Sequence, residues 1–266
     1  MRVNPGVGAG HHEKVTTGDA PQFGVPYDRA AELCATARER GFDLVGLHAH
    51  AGSGISGEDL SAHERLVERV AALEREVSVE FVAVGGGFGV PYRPEEPPLD
   101  IDAVAETTRA AFDCEATLAV EPGRYVVADA GVLLTETRVV KPTEAATVVG
   151  VDAGMTTLLR PALYDAYHEI RSLAPGAGER DRRACLVAGP VCETADVLGR
   201  ERSLPAPERG DLLAVGTAGA YGYEMASQYN SRPRPAVVTL GGDVVARRET
   251  LSDLTRLEDP PRRHDT

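Results

Sequence analysis

The chain has 266 residues, of which 42% are hydrophobic, and its formal net charge is −13. This composition is typical of a globular protein with one large domain or two modest ones. The acidic balance argues against nucleic acid as a partner, because phosphate binding needs a basic surface. No apolar run approaches the length of a membrane span, and no basic segment leads into an apolar stretch. The sequence therefore predicts a cytoplasmic protein that does not insert into membranes.

The first half of the chain alternates strand and helix patterns. Short apolar runs predict strands at 2–3, 43–50, 80–84 and 117–120. Helical periodicity predicts helices at 28–40, 58–77 and 100–114. Strands separated by helices of this length form βαβ units and a parallel sheet. Four such strands make about half of a (β/α)₈ barrel, the TIM-barrel fold, in which active sites lie at the carboxyl ends of the strands.

The second half has a different pattern, in which Gly and Pro punctuate short strands. The predicted strands lie at 132–140, 145–151, 184–188, 212–215 and 236–240. We therefore expect an α/β protein with a partial barrel over residues 1–130 and a mostly antiparallel β domain over residues 131–266. The Pro- and Arg-rich tail from residue 259 is expected to fray.

The charge and thiol content limit the chemistry further. The only lysines are Lys14 and Lys141, and the other basic residues are arginine. An acidic, lysine-poor surface suits a high-salt cytoplasm, where ions screen self-repulsion, but a GC-rich genome that favours arginine codons explains it equally well.

No CxxC pair occurs, which predicts reduced thiols at all four cysteines. These are Cys34, Cys114, Cys185 and Cys192.

A glycine triplet, Gly85-Gly86-Gly87, directly follows a predicted strand. Glycines at such a position let backbone N–H groups approach an anion closely, so the triplet is a candidate phosphate cradle. Tight strand-to-helix turns also use glycine for steric reasons alone, and the triplet does not distinguish the two explanations.

Two histidines, His48 and His50, are two residues apart on a predicted strand and so share a face. This spacing suits a metal ion, or an imidazole that stacks on a flat ring, or a histidine hydrogen-bonded in the core. No carboxylate or cysteine cluster completes a ligand set, so we expect no metal site.

A further turn, Glu121-Pro122-Gly123-Arg124-Tyr125, places a carboxylate and a guanidinium at one strand end, where they could bind a ligand or form a surface ion pair.

The second half contains three more candidates. Arg160 and Tyr164 are four residues apart and would share a face of a helical turn. The adjacent Cys192 and Glu193 place a thiol beside a carboxylate, although a lone cysteine is more often a small buried hydrophobe. Tyr221 follows Ala218-Gly219-Ala220, where small residues leave its hydroxyl accessible.

Taken together and in order, these segments resemble diaminopimelate decarboxylases. The matching segments are RVNPGVGAGHH at residues 2–12, HAHAGSG at 48–54, GGGFG at 85–89, EPGRY at 121–125, RPALY at 160–164, GPVCE at 189–193 and the stretch 218–235. The resemblance implies a fold-type III pyridoxal-phosphate enzyme, in which an alanine-racemase-like barrel precedes a β domain. It also implies the conversion of meso-diaminopimelate to L-lysine and CO₂ in lysine biosynthesis.

The resemblance implies cofactor-binding roles for the first set of residues. His50 would stack on the pyridine ring, and Glu121 would hold the ring nitrogen. A protonated ring nitrogen is a strong electron sink, which decarboxylation requires. The other residues implied to bind pyridoxal phosphate are Ser53, Gly85, Gly86, Gly87, Pro122, Gly123, Arg124 and Tyr221.

The resemblance also implies substrate contacts. Arg124, Arg160, Tyr164 and Tyr221 would bind the substrate, with the arginines on its carboxylates. Glu193 would bind the distal ammonium group, and Cys192 would donate the proton that replaces CO₂. In this family the last two residues act across a dimer interface, so the resemblance implies a homodimer with shared active sites.

One implied residue has no match in the chain. The family's Schiff-base lysine lies on an early barrel strand that would precede residue 1, and neither Lys14 nor Lys141 occupies its place. We therefore expect the chain alone to be inactive. It would then be a truncated gene model whose Met1 is an internal methionine or a misread start, a decayed relic, or one half of a split enzyme that assembles with a separate N-terminal piece.

Several alternatives stay open from sequence alone. A decarboxylase for ornithine, arginine or carboxynorspermidine is the nearest one, although Arg160 and the Cys192-Glu193 pair favour a substrate with a distal amino acid centre. A non-catalytic decarboxylase-like chain that regulates a full-length relative is another. An unrelated α/β protein with merely structural glycine turns would not produce seven matching segments in order.

Overall fold

The structure is a computed structural model that describes residues 1–8, 20, 22–53, 55–57, 59–144 and 146–258. The chain divides into two compact units, Met1–Ala128 and Asp129–Thr266. The domain boundary expected after residue 130 lies two residues from this division. The histidine pair His11-His12, Lys14 and the tail from residue 259 lie outside the described residues.

The first unit contains short parallel strands. They are β1 (Val3–Asn4), β2 (Val25–Pro26), β3 (Gly46–His48), β4 (Phe81–Ala83) and β5 (Thr117–Ala119). Strand β4 pairs with both β3 and β5, β1 pairs with β2, and a parallel bridge from Arg2 to His48 joins β1 to β3. The predicted parallel sheet is confirmed, and β2 is an additional strand that the sequence did not predict.

Helices follow the strands of this unit as expected. They are α1 (Ala30–Glu39), α2 (Ser61–Val77), α3 (Ile101–Ala111) and the short α4 (Gly123–Val127). The three longer helices are confirmed, with ends a few residues inside the predicted limits. Asp100 caps the start of helix α3, and its Oδ1 accepts hydrogen bonds from the N–H groups of Asp102 (3.1 Å) and Ala103 (3.0 Å). Such a cap satisfies helix N–H groups that have no intrahelical partner.

The core of the first unit lies between the sheet and helices α1 and α2. Leu47 of β3 and Val82 of β4 are fully buried, and so are Leu66 and Val70 of α2. Burying each such side chain contributes about 1.5–3 kcal/mol. Cys34 belongs to this core as predicted, whereas Cys114 is only partly buried. The sheet is therefore anchored on its helix-covered face.

The second unit is built on a six-stranded sheet in the order β10-β9-β7-β6-β11-β8. Its strands are β6 (Leu133–Pro142), β7 (Thr147–Val151), β8 (Ile170–Ser172), β9 (Arg182–Ala188), β10 (Val197–Pro205) and β11 (Leu212–Val215). All neighbours are antiparallel except β7 and β9. A separate hairpin joins β12 (Val237–Val238) to β13 (Val244–Ala246). The mostly antiparallel character is confirmed.

Two short helices complete this unit, α5 (Arg160–Tyr164) and α6 (Leu251–Leu254). Apolar residues of β7, β9 and β11 form its core, among them Val149, Val187 and Leu213, which are completely buried. Within the described parts of the chain, no helix is both long and apolar enough to cross a membrane.

Candidate functional site

Three neighbouring strand ends meet at one edge of the first unit's sheet. Backbone hydrogen bonds tie them together: Ala49 N–H to Ala83 O (2.9 Å), and Glu121 N–H to Gly85 O (2.9 Å). Because parallel strands end at the same edge, His50, the glycine triplet and Glu121 are brought together. The predicted clustering of these residues is therefore present in the structure.

The glycine triplet forms a turn that has no room for side chains. A Cβ on Gly86 would overlap the carbonyl oxygen of Glu121, and one on Gly87 would overlap that of Gly52. Gly85 and Gly87 also have φ of +75° and +95°, which L side chains rarely adopt. The turn therefore needs glycine for steric reasons, because backbone and His50 atoms fill the space that side chains would occupy.

His50 is fixed by this turn. The N–H of Gly86 donates a hydrogen bond to His50 Nδ1 at 3.2 Å, so the ring proton lies on Nε2. Burial lowers the pKa of His50 below its usual value, the nearby Arg2 and His48 lower it further, and Glu121 partly opposes them. The result is a neutral, oriented imidazole at neutral pH.

The other histidine of the pair contacts the carboxylate at the third strand end. His48 Nε2 lies 3.3 Å from Glu121 Oε2, and both groups are partly exposed. Among the described residues, no group of three His, Cys, Asp or Glu side chains could hold a metal ion. The two histidines contact different partners, Glu121 and the Gly86 backbone, and do not converge on one point.

Two further segments that carry predicted site residues, those around Ser53 and Arg124, have defined hydrogen bonds. The segment after Ser53 pairs with the one after the triplet, since Ile55 N–H donates to Gly87 O (3.1 Å) and Gly89 N–H to Ile55 O (2.7 Å). Arg124, in the first turn of α4, donates from Nη1 to the hydroxyl of Tyr92 at 2.6 Å. The same guanidinium lies 5.7 Å from the centre of the Tyr92 ring. Sequence reasoning did not identify Tyr92.

In the second unit, Arg160 and Tyr164 lie on the single helical turn predicted for them. The guanidinium of Arg160 is buried, with 2% of the residue exposed, and its Nη1 donates to His168 Nε2 at 2.8 Å. His168 Nδ1 in turn donates to the carbonyl of Gly216 at 2.9 Å, which makes His168 a neutral acceptor. Arg160 is therefore rigidly held, and a ligand could reach it only if some of its covering atoms moved.

Cys192 and Glu193, the thiol and carboxylate predicted to act together, also have hydrogen-bond partners. Cys192 is exposed, and Asn230 Nδ2 donates to its Sγ at 3.6 Å. The hydroxyl of Tyr229 donates to Glu193 Oε1, and this bond raises the pKa of Tyr229. The alternative interpretation of Cys192 as a buried small hydrophobe is thus wrong, because it is accessible and adjoins polar side chains.

Tyr221 lies in the turn that follows β11 and has φ of +55°, a conformation that is uncommon outside glycine. Its side chain is well exposed, with 42% of the residue accessible. A strained, exposed tyrosine among small residues is typical of a functional position.

His168, Asp196 and Tyr229 are additional members of this unit's polar clusters that the sequence did not single out.

Comparison with known proteins places these features in one family. A family model described as "pyridoxal-dependent decarboxylase, pyridoxal binding domain" matches residues 1–128. A second, the "C-terminal sheet domain" of the same decarboxylases, matches residues 100–219. Together they cover residues 1–219, with the pyridoxal-binding model before the sheet-domain model as expected.

Individual relatives agree with this match. The chain is 44% identical to the diaminopimelate decarboxylase of Methanothermobacter thermautotrophicus, over 99% of this chain and 65% of that protein. It is 40% identical to the diaminopimelate decarboxylase of Vibrio cholerae, over 97% of this chain and 63% of that protein. The chain thus spans just under two thirds of the length of these relatives.

Solved structures have the same fold. The diaminopimelate decarboxylase of Helicobacter pylori complexed with L-lysine matches 97% of this chain and 66% of that protein, with a TM-score of 0.89 at 37% identity. The arginine decarboxylase of Paramecium bursaria Chlorella virus matches with a TM-score of 0.74 at 18% identity, which shows a shared fold alone. The expected partial barrel followed by a mostly antiparallel β domain is confirmed. By sequence and by fold, the chain belongs to the pyridoxal-dependent decarboxylases.

Proposed function

We propose that the protein carrying this chain is a pyridoxal-phosphate-dependent carbon–carbon lyase that converts meso-diaminopimelate to L-lysine and CO₂. The observation that carries the proposal is the neutral, backbone-held His50 ring beside a side-chain-free glycine turn and the Glu121 carboxylate. The names of the relatives in the previous section support diaminopimelate as the substrate.

The residues at the strand ends of the first unit fit this cofactor. A neutral imidazole offers a flat face to a pyridine ring without placing a charge against it, and Glu121 offers a carboxylate for a protonated ring nitrogen. The backbone of the glycine turn, which carries no side chains, and the adjoining Ser53 segment are proposed to hold the phosphate. Pro122, Gly123, Arg124 and Tyr221 are proposed as further contacts. When bound, pyridoxal phosphate supplies the electron sink for the pair left behind by CO₂.

The His48–Glu121 contact gives the proposed ring-nitrogen carboxylate a fixed direction. The imidazole of His48, 3.3 Å away, limits the rotation of the Glu121 side chain. A carboxylate held in one position loses less conformational freedom when it binds a ligand. This supports Glu121 as the group that keeps a ring nitrogen protonated.

The second unit is proposed to bind the substrate. Arg160 and Tyr164 would bind a carboxylate of the substrate, because guanidinium groups match carboxylates in shape and charge. Arg124 is proposed to bind a substrate carboxylate for the same reason. Glu193 would bind the distal ammonium group. The bond from Tyr229 holds the Glu193 carboxylate in place, so that Tyr229 contributes to the same contact.

Cys192 is proposed as the acid that protonates the α-carbon after CO₂ departs. Its exposure allows contact with a ligand, and the hydrogen bond from Asn230 to its sulfur orients the thiol. The step is balanced, since the proton leaves Sγ for carbon and the carbon–carbon bond electrons form the new carbon–hydrogen bond.

We further propose a homodimer whose active sites are shared, and a cytoplasmic location, as the family resemblance implies. The remaining part of the barrel, with the cofactor-binding lysine, would come from protein outside this chain, either as a preceding segment or as a separate N-terminal piece. The proposed test adds pyridoxal phosphate to the complete protein and measures its absorbance and the release of CO₂ from meso-diaminopimelate. Faster CO₂ release from ornithine or arginine would reject the proposed substrate.

A further inference from the structure

A buried carboxylate follows the Cys192-Glu193 pair and organises its turn. Asp196 is 2% exposed. Its Oδ2 accepts a hydrogen bond from the N–H of Val191 at 2.7 Å, directly before Cys192. Its backbone closes the same turn, because Gly189 N–H donates to Asp196 O (2.8 Å) and Asp196 N–H donates to Glu193 O (3.0 Å). Both ends of the segment that carries the thiol are therefore attached to one residue.

The other oxygen of this carboxylate reaches a different part of the unit. Asp196 Oδ1 accepts from the N–H of Met155 at 2.6 Å, across 41 residues of sequence. Met155 belongs to the turn that leads into α5, where Leu158 N–H donates to Gly154 O at 3.0 Å. The carboxylate thus connects the Cys192 turn to the segment that begins the Arg160 helix.

The same turn holds the segment that carries Tyr229 and Asn230. Ser227 N–H donates to Thr156 O at 2.9 Å, in the residue next to Met155. Tyr229 and Asn230, two and three residues later, are the side chains that bind Glu193 and Cys192. The polar partners of the thiol and the carboxylate are therefore tied to the segment that Asp196 also holds.

Two glycines lie directly against the Asp196 carboxylate and leave space for it. A Cβ on Gly154 or on Gly189 would overlap Asp196 Oδ1. A buried carboxyl group needs hydrogen-bond partners to offset the loss of water, and two backbone N–H groups supply them here. Each oxygen has a separate donor, so an amide in this position could accept at only one of the two.

We propose that Asp196 is a positioning residue, which sets the place of Cys192 and Glu193 relative to the Arg160 helix. This inference rests on the proposed function, in which those residues contact the substrate. Displacement of a reacting group by about 1 Å costs on the order of a hundredfold in rate. Asp196 would act through the turn that it holds, without contact to substrate or cofactor.

The test compares Asp196→Asn with the unaltered complete protein. The expected results are a fall in kcat for diaminopimelate on the order of 10- to 100-fold and a several-fold change in the rate at which iodoacetamide alkylates Cys192. Alkylation is measured by mass spectrometry of the peptide that contains this cysteine. It needs neither cofactor nor turnover, so it reports the position of the thiol directly.

Asp211→Asn is the matched control. Asp211 is also an aspartate with two donors, since its Oδ2 accepts from Arg180 (2.5 Å) and from Glu208 N–H (2.8 Å). Arg180 precedes β9, whereas Gly189 follows it, so the control lies at the opposite end of that strand. General destabilisation would affect both variants, while a positioning role predicts that only Asp196→Asn changes the Cys192 alkylation rate.

The outcomes distinguish failure of the proposed function from failure of the positioning role of Asp196. If Asp196→Asn alters alkylation but even the unaltered protein releases no CO₂ from diaminopimelate, the proposed function fails and the positioning of the thiol stands. If the unaltered protein is active and Asp196→Asn changes neither kcat nor alkylation, the positioning role is refuted. Should Asp196→Asn not fold, Gly189→Ala displaces the same carboxylate, and unchanged alkylation in that variant would also refute the role.

Discussion

Arg160 and His168 form a buried pair in which the guanidinium donates to Nε2 of the imidazole at 2.8 Å. The pairing requires a neutral ring, and the bond from Nδ1 to the Gly216 carbonyl fixes that tautomer. At this contact the guanidinium of Arg160 is therefore oriented by an uncharged imidazole.

The pair makes a prediction about stability. His168→Ala removes the acceptor and should lower the free energy of unfolding by about 1–3 kcal/mol, because buried donors lose a partner. His168→Gln should recover much of the loss, since its amide can accept from Arg160 and donate to Gly216. Urea unfolding measures both variants. Equal destabilisation by Ala and Gln would show that the ring's packing matters more than its hydrogen bonds.

The glycine turn predicts that two glycine-to-alanine variants differ in stability. Gly86→Ala should destabilise the first unit by about 1–3 kcal/mol, because its Cβ would meet the Glu121 backbone and force it to shift. Gly123→Ala is the stability control, since a Cβ there would have no neighbour within 4 Å. Thermal unfolding distinguishes them, and a stable Gly86→Ala variant would mean that the turn is less tightly packed than described.

The thiol gives a kinetic prediction. Cys192→Ala in the complete protein should lower kcat by about 10²–10⁴-fold with a much smaller change in KM, as expected for loss of a general acid. Cys114→Ala is the control, because that thiol is partly buried in the first unit and its pKa is raised to about 11, chiefly by burial. A Cys192→Ala variant that lost only substrate affinity would contradict the proton-donor role.

Two histidines of the first unit predict a pH dependence of stability. Burial lowers the pKa of His63, as it does that of His50, so in the folded protein both become protonated only at a lower pH than in the unfolded chain. Between the two pKa values the unfolded chain binds protons that the folded chain does not, and stability should fall as pH drops from about 6.5 toward the folded pKa values. Above about pH 7 these groups contribute no slope.

The check is the urea midpoint from about pH 7.5 to 5 in the unaltered protein and in His63→Gln. His63 donates from Nε2 to Thr108 Oγ1 at 2.7 Å, because the threonine hydroxyl itself donates to Val104 O. Glutamine can keep that bond without titrating, so its midpoint should vary less with pH. Identical slopes for both proteins would contradict the assignment to His63.

Much of the fold could be predicted because its patterns are local. Helices α1, α2 and α3 follow from apolar periodicity, and β3, β4 and β5 from short apolar runs. Strand β2 has two residues, too few for a pattern. Strand β10 was missed because Arg200, Glu201 and Arg202 interrupt its alternation at an irregular register, where Glu201 has φ of +53°.

The site could be predicted only where residue type carries the signal. Cys192, Glu121 and the glycine triplet have distinctive chemistry or shape within a few residues. His168 and Asp196 do not, because their roles depend on Gly216 and Met155, 48 and 41 residues away in sequence. Bonds of this kind to backbone groups leave no pattern in the sequence that distinguishes them from ordinary surface residues.

The central claim is tested most directly by adding pyridoxal phosphate and meso-diaminopimelate to this chain, alone and together with the polypeptide encoded immediately upstream. Release of CO₂ and lysine from the mixture, faster than any release from ornithine, is the predicted result. Turnover by the chain alone would show that a lysine outside this chain is not needed. No turnover of diaminopimelate by the mixture, under conditions where it binds pyridoxal phosphate, would contradict the proposed reaction.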